Sequence, residues 1–421
     1  MRTLRPFRAL RRTPRPGRVV AAGCVIAALG LAAGACSGGA AWRAPGETSD
    51  PPKVTIVAPV DGAQDVVTST ELEFTLQGTS TADVTLADAN GNTIAGAMRE
   101  DGSSWLPDKQ LKYATKYTAT IKATKSDGSS AQAATTFTTM GQPAQTARVQ
   151  SFNGDNITYG VGMPIIIRFG VDVPESQRAA IQRRLFVTSS PAQEGAWNWI
   201  SSSYHNPGSE IHYRPKEYWQ PGTKVHARIA LGGMPWGVQG VYGRNDLTLD
   251  FTIGDAQIIT IDNATKQMTF TVNGDVVKTF PVSLGKPSTP SVSGTMLIMS
   301  RNPTYHFDTR REDGLGGYVV DVKFAEQLTT SGQFIHAAPW SVAQQGHTNI
   351  SHGCVNISTA NAQWVYDTVT VGTPVVVRGT EEKLVWGDGF TDWDIPWTEY
   401  VKGSAIPYGP PTAAATASAT A

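Results

Sequence analysis

Residues 117–128 read YTATIKATKSDG, with Tyr117, Ala119, Ile121 and Ala123 at every second position, Thr and Lys between them, and Ser126-Asp127-Gly128 behind. A period of two sends alternate side chains to opposite faces of an extended chain, so the stretch reads as a half-buried β-strand running into a turn. The same texture surrounds it: VTIVAP from Val54, LEFTLQG from Leu72, ADVTLADANG from Ala82 and TTFTTM from Thr135. No helical period of useful length interrupts these segments. Short strands at this spacing, punctuated by Asn-Gly and Asp-Gly turns, predict an immunoglobulin-like β-sandwich over 54–141.

The pattern then repeats in diverged form. Trp105-Leu106-Pro107, Tyr117 and Phe137-Thr138-Thr139 are echoed by Tyr213-Arg214-Pro215, Val225 and Phe251-Thr252-Ile253. A period of about 100 residues fits one sandwich per copy, which places a second over 145–253. His205, His212 and His226 fall in it and read as structural or exposed. Gly141 and Gly254 follow the two closing motifs and mark plausible boundaries.

A third unit is expected over 254–379. Met268, Phe270 and Val272 alternate with polar residues, and Asn273-Gly274 supplies a type I′ turn into DVVKTFPVSLG. The stretch from Gly285 to Gly317 is rich in Gly, Pro and charge, which predicts long mobile loops of a size that often forms a lid. Ser358 or Thr359 can cap a short helix in which Ala360 and Trp364, and Val365 and Val369, recur at i+4; Gly372 ends it before the strand TPVVVRG. Residues 380–408, with Trp386, Trp393 and Trp397 among carboxylates, are expected to pack on the third unit. A carbohydrate-binding aromatic patch is the alternative. The Ala/Thr-rich tail, 409–421, has the composition of a disordered segment. The predicted class is mainly β: two immunoglobulin-like sandwiches, then a β-rich unit with a short helix and a Trp-rich C-terminal extension.

The first 36 residues stand apart. Seven Arg precede an uncharged run from Val19 to Ala35, a positively charged region followed by a short apolar one. Ala33-Gly34-Ala35-Cys36 resembles a bacterial lipobox, which implies export and a lipid anchor on Cys36, facing the cell wall; a cleaved or retained signal remains the alternative. Residues 37–53 read as a flexible tether. The leader holds seven of the 35 basic side chains and none of the 35 acidic ones, so the rest of the chain carries 28 against 35, about −7. That balance offers no basic footprint for nucleic acid.

Beyond residue 36 the chain has one cysteine, Cys354, inside Asn349–Ser358, NISHGCVNIS. No intramolecular disulfide framework can use it, and a lone thiol in an oxidising compartment asks for a reason. A buried core residue is the ordinary one, but His, Gly and Asn are poor core neighbours. A nucleophile needs a base to make thiolate, and His306, His336, His347 and His352 are the candidates. His336 lies in the apolar segment GQFIHAAP, where a polar ring is unexpected. Gly353 lets the chain turn so that backbone N–H groups converge, as in an oxyanion hole. A zinc site from His336, His347, His352 and Cys354 matches no paired-ligand spacing. A papain-like enzyme would place Cys before His.

His336-Ala337-Ala338-Pro339-Trp340-Ser341, Gly346-His347-Thr348 and Ser351-His352-Gly353-Cys354-Val355-Asn356 together resemble the signature of L,D-transpeptidases with a YkuD-type catalytic domain, in particular the membrane-anchored actinobacterial members with two immunoglobulin-like domains. The resemblance implies that Cys354 attacks a peptidoglycan tetrapeptide stem between diaminopimelate and D-Ala, with His336 as base and acid. It implies that the Ala337 carbonyl orients His336, and that Gly353 and Cys354 N–H groups hold the oxyanion. Tyr318, Ser351, His352, Asn356 and Trp340 would line the substrate site. D-Ala leaves, a second stem's amine resolves the thioester, and a cross-link between two third residues results. Carbapenem-type β-lactams would acylate Cys354, and no cofactor or metal is implied. Resolution by water or by a protein amine, and a non-enzymatic wall-binding lipoprotein, are the competing readings.

Overall fold

The computed structural model describes residues 51–99, 102–200, 208–308, 310 and 319–409. The leader with Cys36, most of the tether, His205, Tyr318, the far part of the expected lid and nearly all of the C-terminal tail lie outside the described residues.

In the first sandwich, a sheet in the order Lys53–Ala58, Leu72–Gln77, Ser104–Pro107, Gly96–Met98 packs against one ordered Ala63–Val66, Ser130–Thr139, Lys116–Thr124, Ala82–Asp88, Thr93–Ile94. The alternating residues of 117–123 behave as their period requires: Tyr117, Ala119, Ile121 and Ala123 are all at most 1% exposed, and the first three join Leu72, Phe74, Trp105 and Phe137 in one core. The second sandwich repeats the strand order, with Val149–Ser151, Ile165–Phe169, Glu210–Pro215, Gly195–Ile200 facing Thr158–Tyr159, Leu247–Ile253, Lys224–Ile229, Leu185–Ser190. The echoed motifs therefore sit on corresponding strands. One element departs from the sequence reading: an α-helix, Glu175–Gln182, which buries Ile181 and Gln182. At eight residues it is too short for a helical period to stand out.

The third unit joins two sheets. The larger runs Asp275–Pro281, Gln267–Val272, Gln257–Asp262, Pro374–Arg378, Val292–Leu297, Glu382–Lys383; the smaller runs Ser300–Asp308, Val319–Gln327, Phe334–Ala337, Val355–Ile357. Asn273 and Gly274 both take positive φ, 52° and 94°, as the type I′ turn requires. The helix spans Thr359–Thr368, and Ser358 caps it by accepting the Asn361 N–H at 3.3 Å. Its Ala362 and Val365 are fully buried with Ile335, Ala337, Val355 and Ile357 behind the smaller sheet.

Two expectations are corrected. Ser300–Asp308, expected as mobile loop, is a strand paired antiparallel with Val319–Gln327 from Ser300↔Gln327 to Asp308↔Val319. Tyr305 and Phe307, two residues apart, meet edge to face and both pack on Phe334, and that apolar stripe outweighs the Gly, Pro and charge around it. The C-terminal extension does not rest on the third unit alone. Phe390 belongs to the core of the second sandwich, and Trp393 Nε1 donates to Gly162 O at 2.7 Å. Asp394 still accepts Thr295 N–H at 2.7 Å, so the extension straps both units together. Its Trp393 and Trp397 rings cover the Arg214 guanidinium at 4.3 and 5.0 Å, so these two rings are spent on packing.

Candidate active site

Phe334–Ala337 and Val355–Ile357 are parallel neighbours, with His336 opposite Asn356. Side chains at paired positions share a face, so the apolar residues Ile335, Ala337, Val355 and Ile357 turn to the helix while His336 and Asn356 turn the other way. There they meet Cys354 in a cavity of about 380 Å³ lined also by Phe307, Val320, Val322, Trp340, Ser351 and His352. The sequence pattern thus uses one side of a strand for the core and the other for chemistry.

His336 is 5% exposed. Its Nδ1 lies 2.9 Å from Ala337 O. A carbonyl can only accept, so Nδ1 carries the proton and Nε2 presents a lone pair. Burial lowers the pKa of the ring, and the Ala337 carbonyl offsets this only in part. Cys354 is half-buried as a residue, but its thiol is desolvated, and burial pushes the pKa up to about 12 against a smaller opposing effect of the Phe334 backbone N–H. The sulfur lies 3.8 Å from Gly332 O, to which it donates weakly. Both groups are therefore neutral at rest, and thiolate must form as the thiol gives its proton to a base.

The turn before Cys354 is tied at several points. Ser351 Oγ accepts Gly353 N–H at 3.1 Å and donates to Cys354 O at 2.6 Å. Ser291 Oγ donates to Gly353 O at 2.6 Å, and the Asn356 backbone exchanges hydrogen bonds with Ser283 at 2.9 and 3.0 Å. These bonds change two expected roles. The Gly353 N–H is already used, so it does not converge on an oxyanion in this geometry; the reason for glycine is a φ of +125°. The Ser351 hydroxyl spends its donor within the turn, which makes it a staple of the loop although it also borders the cavity.

Of the other expected residues, Asn356 is 2% exposed and lines the cavity floor. Trp340 is 55% exposed at the mouth, its ring 6.1 Å from that of His336. His352 Nε2 lies 3.0 Å from Lys286 Nζ at the rim. His306 pairs with Asp321 on an exposed face, and neither it nor His347 is among the cavity residues. Sequence reasoning missed the apolar walls, Phe307, Val319, Val320, Val322 and Ile350. The spacing of Val320 and Val322 was the available signal, a period of two with one face apolar.

Residues 63–235 match the family model described as a bacterial Ig domain, and residues 256–377 match that of the YkuD L,D-transpeptidase catalytic domain. The chain is 37% identical over 359 residues to L,D-transpeptidase 2 of Mycobacterium tuberculosis, covering 84% of this chain and 85% of the relative. It is 32% identical over 384 residues to L,D-transpeptidase 5 of the same organism, covering 90% and 82%. Among solved structures it is similar to LD transpeptidase LdtMt1 in complex with imipenem, with 32% identity, 56% of this chain and 100% of that chain covered, and a TM-score of 0.46.

Proposed function

The chain belongs to the L,D-transpeptidase family, acyltransferases of peptidoglycan cross-linking, and from that premise we propose that Cys354 is its nucleophile and His336 its general base and acid. The observation that carries this reading is the His336 tautomer: Nδ1–H is held by Ala337 O, and the basic Nε2 belongs to a ring that shares a cavity with Cys354. Because both groups rest neutral, the proton transfer from Sγ to Nε2 accompanies attack rather than preceding it.

The sulfur bonds to the carbonyl carbon between diaminopimelate and D-Ala of a tetrapeptide stem. His336 then returns the proton to the departing D-Ala nitrogen as the C–N bond breaks, leaving a thioester. An amine of a second stem, deprotonated by the same Nε2, attacks the thioester, and the proton goes back to sulfur. The Cys354 backbone N–H is the oxyanion donor this reading assigns, with the Tyr318 hydroxyl carried over from the family resemblance. His352, Asn356 and Trp340 border the stem. A carbapenem-type β-lactam offers the same nucleophile a strained carbonyl, so it acylates Cys354.

The two sandwiches act as a spacer. With the Arg-rich leader and Cys36 as a lipid anchor, they hold the catalytic unit away from the membrane and within the wall; the leader composition supports this placement. The test of the acceptor is product analysis with a disaccharide-tetrapeptide containing diaminopimelate. A dimer lacking one D-Ala is expected. Tripeptide alone would replace transpeptidation by carboxypeptidase activity.

A further inference from the structure

Gly387-Asp388-Gly389 of the C-terminal extension lies against the turn that contacts the thiol. Asp388 is 3% exposed, and its carboxylate accepts the Ser331 backbone N–H at 2.7 Å and the Ser331 hydroxyl at 2.5 Å. The approach is close enough to require glycine next door: Gly389 has φ +96°, and a β-carbon there would stand 2.7 Å from Met299 Sδ and 3.2 Å from Leu328 O. Ser331 sits in the turn Thr329–Gln333, closed by Gln333 N–H to Thr329 Oγ1 at 3.0 Å and by Thr329 Oγ1 with Ser331 Oγ at 3.0 Å. The next residue, Gly332, has φ +102° and presents the carbonyl that meets Cys354 Sγ at 3.8 Å.

We propose that Asp388 is a positioning residue for Cys354: from the C-terminal extension it fixes the Thr329–Gln333 turn, and through that turn it holds the Gly332 carbonyl against the thiol. Ser331 is exposed, and beside the turn's own bonds through Thr329 and Gln333 this charge-assisted grip is what ties its tip to the extension. A carbonyl facing sulfur has two effects. It aims the S–H, and because it accepts from thiol but repels thiolate, it favours the protonated form. The strap therefore joins the fold of the extension to the state of the nucleophile. The inference rests on the reading of Cys354 as nucleophile.

The experiment compares wild type, Asp388→Ala, Asp388→Asn and Cys354→Ala as the full mature chain. Two quantities are read: the pH dependence of thiol alkylation by iodoacetamide, and the rate of acylation by a tetrapeptide stem. Asp388→Ala is expected to lower the alkylation midpoint by about 1 pH unit as the carbonyl leaves the sulfur, and to slow acylation by about tenfold as the thiol loses its orientation. Asp388→Asn keeps an acceptor for the Ser331 N–H and is expected to restore about two-thirds of both effects. A merely looser fold would rehydrate the thiol and lower the midpoint too, but only together with a fall in Tm and without the rescue by Asp388→Asn.

An alkylation midpoint within about 0.2 units of wild type in Asp388→Ala overturns the proposal. Where that variant does not fold, Ser331→Ala, which removes the hydroxyl half of the same grip, is read in its place, and an unshifted midpoint there overturns the proposal. If Cys354→Ala still turns over the stem, the nucleophile assignment has failed, and this outcome is distinguishable because the alkylation readout needs no turnover.

Discussion

A β-carbon at position 353 would come no closer than 3.6 Å to the Gln333 side chain, so space does not demand glycine before Cys354; the backbone does, at φ +125°. Gly353→Ala should store roughly 1–3 kcal/mol of strain in the turn that carries the thiol. Acylation by a tetrapeptide stem should then fall at least about tenfold, since small misplacements of a reacting atom are costly, while Tm falls by only a few degrees. Equal losses in Tm and activity would point to general unfolding. His336 gives a second prediction at this scale. Burial lowers its folded pKa below the ordinary 6.5, and only the neutral ring can take the thiol proton. The single-turnover acylation rate should rise with pH through a midpoint below 6.5 and then stay level past neutrality, because the thiol's own ionisation lies near 12. A limb between pH 8 and 9, as for a free thiol of pKa about 8.5, would contradict a neutral resting pair.

Among the elements, those with a strong local signal were legible. The period of two in 117–123 and 268–272, the Asn273-Gly274 turn and the Ser358 cap each act within a few residues, and each appears in the structure. The cap can be tested directly. Ser358→Ala should cost about 1 kcal/mol of stability, read by denaturant unfolding. Because Thr359–Thr368 supports the strand carrying Val355 and Asn356, a modest loss of activity should accompany it. What was not legible depended on partners far away in sequence. Ser300–Asp308 has ordinary loop composition and becomes a strand because Val319–Gln327 offers it a ladder and Phe334 a surface. In the site, the motif exposed Cys354 and His336, but nothing local revealed that Ser351 would take up the Gly353 N–H, or that Ser283 and Ser291 would hold the turn from another strand region.

Across the whole molecule, the extension is fastened through a buried charge cluster. His212 is 1% exposed, with Asp392 at 2.9 Å from Nδ1 and Glu210 at 2.6 Å from Nε2. Burial opposes the charged ring, but the two carboxylates outweigh it and raise the pKa from 6.5 to about 9. The unfolded chain releases that proton at lower pH than the folded one. The cluster's contribution is therefore fully present below pH 6.5 and is lost as pH rises through about 9. Tm should decline over that interval, and Asp392→Asn should lower Tm at neutral pH while flattening the decline. A wild-type Tm that stays constant to pH 10 would show that His212 is not charged in the fold. Glu71 works in the opposite sense between the sandwiches. Burial would raise its pKa, but hydrogen bonds from Arg99 and Ser104 and the charge of Arg184 take it from 4.5 to about 2, so its contribution is present above pH 4.5 and lost as pH falls through 2.

Catalysis through Cys354 requires a covalent acyl–Cys354 species. Intact-protein mass spectrometry of wild type and Cys354→Ala, each incubated with the diaminopimelate tetrapeptide, tests it most directly. A transient adduct of the stem less D-Ala on the wild type alone is the predicted result; an adduct on both proteins, or turnover by Cys354→Ala, would contradict it.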